Sequence, residues 1–91
     1  MTQFTLYSRS YCHLCDDMLA QLRTCMESDQ EIKQRNLRFS IDVIDVDADE
    51  ALIALYDELV PVLIGKKAEG KEVRICHYFL DVAKLKAFLH E

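Results

Sequence analysis

The sequence predicts an α/β domain in which helices cover both faces of a mixed sheet of four strands. Two observations lead to this prediction. Four short runs have the alternating or continuous apolar pattern of strands, and three other runs have helix formers with apolar residues at helical spacing. Their order is strand, helix, strand, helix, strand, strand, helix. We therefore expect one βαβαββα domain over residues 1–91, built as a three-layer α/β/α sandwich around one modest core.

The first strand and the first helix lie on either side of a Cys-x-x-Cys sequence. Residues 4–7 are β-prone, with apolar residues at alternating positions. Apolar residues then recur at helical spacing and predict an amphipathic helix from about Cys12 to about Ser28. The polar stretch 27–38 is interpreted as a frayed helix end followed by a loop.

The second strand and the second helix follow this loop. Residues 39–46 alternate at first and then become continuously apolar, which is typical of a strand covered on both faces. A strand, a helix and a second strand predict a right-handed parallel crossover. Asp47 or Asp49 can cap the helix 50–56, which has to end before Val60-Pro61 because the residue before a proline disfavours helical geometry.

The last part of the chain predicts a hairpin and a helix. Residues 62–64 and 72–76 are strand-like, and the short polar turn between them requires antiparallel pairing. Asp81 is the expected cap of a final helix, whose inner face carries four apolar residues: Val82, Leu85, Phe88 and Leu89.

Composition excludes several classes of partner. The net charge of −5 and the lack of a basic cluster argue against nucleic acid and against an anionic membrane. No signal peptide is visible, and no apolar run approaches the roughly 20 residues needed to cross a bilayer. We therefore expect a cytoplasmic protein, in which cysteines serve catalysis or metal binding rather than structural disulfides.

The Cys-x-x-Cys sequence is the candidate site. Cys12 falls at the start of a helix, where backbone N–H groups and the helix dipole favour an anion and hence the reactive thiolate. Cys15 follows one turn later and can close a disulfide with Cys12. Such a pair near a βαβ pattern predicts thiol–disulfide exchange, with Cys12 as the nucleophile and Cys15 as the resolving cysteine.

Neighbouring residues could tune the Cys12 thiol. Protonated His13 would stabilise the thiolate, although an exposed residue without a special role explains it equally well. Asp16 and Asp17 oppose ionisation, and Arg9 either offsets them or is a solvated loop residue.

The other cysteines have two interpretations. Cys25 lies on the inner stripe of the first helix and is interpreted as a core residue. Cys76 and His77 could complete a three-Cys, one-His metal site with Cys12 and Cys15. The favoured interpretation is a buried cysteine beside an exposed histidine at the end of a strand, and we predict no metal site.

With these motifs in place, the chain resembles the thioredoxin fold and, within it, a small bacterial glutaredoxin-like family. The resemblance lies in Leu6-Tyr7-Ser8 before Cys12-His13-Leu14-Cys15, in Asp45-Val46-Asp47, and in Val60-Pro61-Val62-Leu63. It implies a cis Pro61 beside the cysteine pair and a substrate-binding role for the backbone of Val60. Without the resemblance, a trans proline at the start of an edge strand would be expected.

The chain departs from the family pattern at three places. His13-Leu14 replaces the usual Pro-Tyr between the cysteines. The segment 76–79 lacks the Gly-Gly pair that helps glutaredoxins to hold glutathione. Tyr11 occupies the place of the thioredoxin tryptophan, and with Arg9 and His13 it is a candidate for tuning the thiol pKa.

The predicted function is that of a glutaredoxin-like thiol–disulfide oxidoreductase without a bound cofactor. Its substrate would be a protein or a low-molecular-weight disulfide. Glutathione or another thiol reductant would act as co-substrate, or a thioredoxin-type reductase would supply the electrons. Two alternatives remain: a zinc or iron–sulfur carrier that uses the same cysteines, and a binding module that keeps only the fold.

Overall fold

A computed structural model describes residues 1–91 as four strands and four α-helices. Their bounds are β1 Thr2–Ser8, α1 His13–Ser28, α2 Gln30–Arg35, β2 Phe39–Asp45, α3 Glu50–Tyr56, β3 Val62–Lys66, β4 Val73–His77 and α4 Val82–His90. A short 3-10 helix, Val46–Ala48, connects β2 to α3. None of the helices is both long enough and apolar enough to span a bilayer.

The four strands form one mixed sheet in the order β2-β1-β3-β4. β1 and β2 are parallel, as the strand–helix–strand unit predicts, and β3 is antiparallel to both β1 and β4. Tyr7 pairs with Val62, and Val62 pairs with His77. The end of β1, the start of β3 and the end of β4 therefore lie together at one end of the sheet.

The main core lies between one sheet face and helices α1 and α4. β1 supplies Phe4 and Leu6 at alternate positions, as a strand with one covered face requires. The core cluster contains eleven buried residues: Phe4, Leu6, Met18, Leu22, Met26, Ile32, Leu63, Ile75, Cys76, Leu85 and Phe88.

Helix α3 covers the opposite face of the sheet. The ring of Tyr56 stacks on the ring of Tyr7, with centroids 4.6 Å apart, and Val62 of β3 is fully buried. The predicted three-layer α/β architecture is confirmed, although α3 contributes no fully buried residue and this layer is thin.

The expectation that β2 is covered on both faces is wrong. β2 is an edge strand, and Val43 and Ile44 remain 49% and 37% exposed. The last apolar residue of the run, Val46, is buried because it has left the strand and begins the 3-10 helix. The apolar run at the end of residues 39–46 therefore consists of exposed residues of an edge strand followed by one buried residue of the 3-10 helix.

The expectation of a frayed helix end and loop over residues 27–38 is also wrong in part. The Asp29 carboxylate accepts a hydrogen bond from the Ile32 N–H at 3.0 Å and caps the separate helix α2. The same side chain is buried and bonds Lys86 Nζ at 2.8 Å and His90 Nε2 at 3.1 Å. The residue that caps α2 is thus also held by two residues of α4, far away in the sequence.

Replacing Asp29 by asparagine should destabilise the protein in a pH-dependent way. The hydrogen bond from Lys86 is the main reason why the pKa of Asp29 falls from 3.8 to about 2. Because the folded-state pKa is the lower one, this stabilisation is present above about pH 4 and is lost as the pH falls towards 2. Asparagine keeps the cap but loses the charge, which should cost about 1–2 kcal/mol at neutral pH, since Lys86 is partly exposed.

Urea unfolding of both proteins at several pH values checks this prediction. Asp49→Asn is the control, because Asp49 caps α3 but forms no ion pair, and its change should be small at every pH. A difference between wild type and Asp29→Asn that does not shrink at low pH would contradict the assignment.

Gly65 has to be small because α4 packs directly against β3. A Cβ atom at this position would lie 2.7 Å from Phe88 Cζ and 2.9 Å from Ile75 Cδ1, and both side chains are buried. Gly65→Ala should therefore lower the free energy of unfolding by about 1–3 kcal/mol through overpacking. Gly70→Ala is the control, since its nearest neighbour lies 3.7 Å away. Equal stability of the two variants in urea would refute this account of the packing.

Candidate active site

Cys12 is the N-cap residue of α1, as the sequence predicts. Its backbone is extended (φ −107°, ψ 105°), and its Sγ accepts a hydrogen bond from the backbone N–H of Cys15 at 3.1 Å. The sulfur thus takes the place of the oxygen of a Ser or Asp cap and satisfies one of the free N–H groups of the first turn. This contact favours a negative charge on the sulfur.

Cys12 and Cys15 form a disulfide in the structure, with Cα atoms 5.2 Å apart. This separation lies within the normal range for a disulfide. Cys12 is partly exposed, whereas Cys15 is only 3% exposed. A disulfide in solution can therefore approach the Cys12 sulfur, whereas the Cys15 sulfur is shielded from solvent and is in contact with Cys12.

The Val60–Pro61 segment lies at the same end of the sheet as the cysteine pair. The peptide bond between the two residues is cis, which confirms the expectation from the resemblance. Pro61 is buried and Val60 is partly exposed. Because Val62 pairs with Tyr7 near the end of β1, the segment that starts β3 adjoins the loop that leads to Cys12.

The turn between β4 and α4 packs against the Pro61 segment. The backbone N–H of Tyr78 donates to the carbonyl oxygen of Pro61 at 2.9 Å, and the Tyr78 hydroxyl donates to the carbonyl oxygen of Glu58. Tyr78 has a φ of 64°, in the left-handed region that favours glycine. It stands in the segment where glutaredoxins usually carry Gly-Gly, and the two hydrogen bonds hold it there.

Tyr78 and Phe79 join the site although the sequence did not identify them as site residues. Together with Leu14 they line a cavity of about 60 Å³ beside α1. Tyr78 is 39% exposed and Phe79 is 69% exposed. In the sequence, the only indication of their role is that two aromatic residues follow β4 at the place where glutaredoxins usually have Gly-Gly.

Arg9 connects the loop before Cys12 to two distant segments. Its guanidinium forms ion pairs with Asp47 at 3.0 Å and with Asp57 at 2.6 Å. The hydrogen bond to Asp47, followed by that to Asp57, raises the pKa of Arg9. No hydrogen bond joins Arg9 to Cys12, so the structure shows a contact that positions the loop, and the tuning role remains a prediction.

The other two tuning candidates are solvent-exposed. His13 is the first residue of α1, and Tyr11 is fully exposed with a φ of 59°. Neither side chain forms a hydrogen bond to the cysteine pair. Asp16 and Asp17 are also exposed on the first turns of α1. The effects of these residues on the thiol remain predictions.

The remaining cysteines lie apart from the pair. Cys25 is partly buried and packs against the core, and Cys76 is 9% exposed within it. Burial raises the pKa of the Cys76 thiol, which makes it a poor nucleophile at neutral pH. No three His, Cys, Asp or Glu side chains are close enough to hold a metal ion, so the three-Cys, one-His set is not assembled.

Comparison with known proteins identifies similar sequences and folds. The model of the Glutaredoxin-like domain (DUF836) matches residues 3–90. No protein of curated function matches the chain significantly.

Two solved bacterial structures are similar over nearly their whole length. The chain is 36% identical to protein Ne2328 from Nitrosomonas europaea, with a TM-score of 0.73, covering 96% of this chain and 89% of that one. It is 28% identical to a structural genomics target from X. campestris, with a TM-score of 0.59, covering 96% and 95%.

A thioredoxin provides a more distant comparison. Oxidised mitochondrial thioredoxin 3 from Saccharomyces cerevisiae is 15% identical, with a TM-score of 0.65, and the match covers 99% of this chain and 78% of the thioredoxin. At this identity the likeness concerns the fold alone. It supports a thioredoxin-like arrangement of the sheet and helices.

Proposed function

Because the chain belongs to the Glutaredoxin-like domain family, whose model matches residues 3–90, we propose that it is a glutaredoxin-like thiol–disulfide oxidoreductase. The observation that carries this proposal is the Cys12–Cys15 disulfide at the start of α1, with Cys12 partly exposed and Cys15 buried. This asymmetry supports different roles for the two sulfurs, with Cys12 as the attacking and Cys15 as the resolving cysteine.

In the first step, the Cys12 thiolate attacks one sulfur of a substrate disulfide. A bond forms between Cys12 Sγ and that sulfur, the substrate disulfide breaks, and the released thiolate takes a proton from water. The Cys15 N–H and the start of α1 stabilise the attacking thiolate. Val60 is partly exposed, and its carbonyl group supports the substrate beside the pair, because its N–H already donates to the Tyr56 carbonyl at 3.2 Å.

In the second step, Cys15 loses its proton and its thiolate attacks Cys12 Sγ in the mixed disulfide. The Cys12–Cys15 disulfide forms, and the reduced substrate leaves as a second thiol. Two electrons have passed from the protein to the substrate. The separation of three residues, with Cα atoms 5.2 Å apart, keeps the Cys15 sulfur within bonding reach of Cys12.

The cycle closes when an external reductant returns two electrons to the pair. Glutathione or another thiol can do this by the same exchange chemistry, and a thioredoxin-type reductase is the alternative donor. The chemistry needs no bound cofactor. A reducing cytoplasm is the compartment that suits such a cycle.

A reductase assay tests the proposed function. The protein, in catalytic amount, should accelerate the reduction of a disulfide-linked protein such as insulin by dithiothreitol, well above the rate with dithiothreitol alone. The double variant Cys25→Ser, Cys76→Ser is the control and should keep this activity, because neither thiol belongs to the pair. A rate equal to the background on every disulfide tested would refute the proposal.

A further inference from the structure

We propose that the substrate of this site is a polypeptide disulfide with an apolar residue beside the reacting cysteine and neutral or basic flanks, in preference to glutathione disulfide. This inference rests on the proposed function and names the substrate class of the same site. Three features of the surface around Cys12 support it. They are an apolar rim, an acidic border and a turn in which the N–H groups of Tyr78 and Phe79 already have acceptors.

The apolar rim consists of Leu14, Tyr78 and Phe79, which are 38%, 39% and 69% exposed. Leu14 lies between the two cysteines in the chain, and Tyr78 bonds the Pro61 carbonyl, so the rim lies at the same end of the molecule as Cys12. Exposed large apolar groups clustered at one place are typical of a surface that contacts a partner. Here the partner would be the chain that carries the disulfide.

The size of the cavity at this rim fits a side chain rather than a whole ligand. The cavity measures about 60 Å³, well below the several hundred cubic ångströms that usually enclose a small molecule. Met18 and Leu80 provide further apolar lining. Such a recess can take the end of one aliphatic side chain while the rest of the polypeptide lies across the surface.

Charge at the site disfavours an anionic ligand. Asp17 lines the cavity, and Asp16 is exposed beside it. Arg9 is the one cation in the loop before Cys12, and its ion pairs with Asp47 and Asp57 leave little net positive charge. Glutathione disulfide carries several carboxylates and a net negative charge, so these aspartates would repel it.

One cation lies nearby, on the other side of the rim. Lys84 of α4 lines a separate cavity with Phe79, and Asp81 lines the same cavity. The lysine is therefore accompanied by an acidic group of its own. The cavity that Leu14 lines contains one charged residue, Asp17, and no cation.

Two backbone donors of the turn after β4 are already occupied and cannot bind a carboxylate. The N–H of Tyr78 donates to the Pro61 carbonyl at 2.9 Å, and the N–H of Phe79 donates to the His77 carbonyl at 2.7 Å. A turn that binds an anion needs such N–H groups to point at the ligand. This turn presents aromatic rings instead, which favours apolar side chains.

Kinetics with matched disulfides test the inference. The probes are a peptide disulfide with Leu and Lys next to the cysteine, the same peptide with Asp at both positions, and glutathione disulfide. The small neutral 2-hydroxyethyl disulfide is the reference. The kcat/KM for the Leu–Lys peptide should be about tenfold or more above the values for the acidic peptide and for glutathione disulfide. Burial of the leucine side chain and the absence of repulsion between the peptide and the aspartates of the site account for a difference of this size.

Variants locate this preference on the rim. In Phe79→Ser, the ratio of kcat/KM for the Leu–Lys peptide to that for the reference should fall severalfold, and Phe79→Leu should restore most of it. Leu37→Ser is the control: Leu37 is 46% exposed and precedes β2, at the opposite end of the sheet, so the ratio should not change. Asp17→Lys should raise the relative kcat/KM for glutathione disulfide severalfold.

Two results would overturn the inference. One is a wild-type preference for glutathione disulfide over the Leu–Lys peptide, and the other is an unchanged ratio in folded Phe79→Ser. Turnover of the reference disulfide in either case would leave the proposed function intact. If no disulfide is turned over, including the reference, the proposed function fails and the inference fails with it.

Discussion

Replacing Cys12 by serine should reduce disulfide reductase activity to the background rate while leaving the fold unchanged. The hydroxyl cannot replace the thiolate that attacks the substrate disulfide, and Cys15 is too buried to take over that role. Serine is nevertheless a preferred N-cap residue and can accept the same hydrogen bond from the Cys15 N–H. Stability in urea should therefore change little after correction for the lost disulfide.

The comparison has to be made between reduced proteins, since the wild type gains stability from its disulfide. Cys25→Ser is the matched control, because Cys25 lies on the same helix but outside the pair, and it should keep full activity. Significant turnover by Cys12→Ser in the insulin assay would show that another thiol is the nucleophile.

Replacing Cys15 by serine should trap the substrate on Cys12. The first exchange step remains possible, but no buried thiol is then available three residues away to release the substrate. The variant should accumulate a mixed disulfide with a test peptide, detected as a mass increase of the non-reduced protein. External thiols would resolve this adduct slowly, so steady-state reduction of protein disulfides should fall strongly.

Peptide mapping identifies where the adduct forms. We expect it on Cys12, and the double variant Cys12→Ser, Cys15→Ser should carry none. An adduct on Cys25 or Cys76 would contradict the assignment of roles. So would a Cys15→Ser protein that turns over protein disulfides at the wild-type rate.

The fold was predictable where local pattern and tertiary contact agree. Helix α3 extends over Glu50–Tyr56 as expected, because a strong helical pattern follows the cap Asp49 and a proline lies beyond its end. β1 alternates in the sequence because one of its faces is buried. The parallel pairing of β1 with β2 and the β3–β4 hairpin were predicted from their connections, whereas the pairing of β1 with β3 was not.

The incorrect predictions concern segments whose structure or exposure depends on residues that are distant in the sequence. Residues 30–35 form a separate helix whose local cap, Asp29, is buried and held by Lys86, 57 residues further along the chain. β2 has an exposed apolar end because of its place at the edge of the sheet, which its own residues do not encode. Neither the bond between Asp29 and Lys86 nor the edge position of β2 produces a periodic pattern in the local sequence.

The same distinction applies to the site. The position of Cys12 at the start of α1 follows from the local strand–helix pattern, whereas the burial of Cys15 is seen only in the folded protein. The partners of Arg9 lie 38 and 48 residues away, and the turn at Tyr78 meets Pro61 only in the folded protein. The residues that would attack a disulfide were therefore predictable, while the surface that would select it was not.

A redox titration of the purified, metal-analysed protein tests the central claim most directly. The protein is equilibrated in buffers of defined thiol–disulfide ratio, free thiols are alkylated, and peptide mapping shows which cysteines pair. We predict one reversible two-electron transition in which Cys12 and Cys15 pair with each other, while Cys25 and Cys76 remain thiols. If Cys12 and Cys15 fail to pair, or resist alkylation until a metal is chelated, the pair is not a redox couple and the proposed function is wrong.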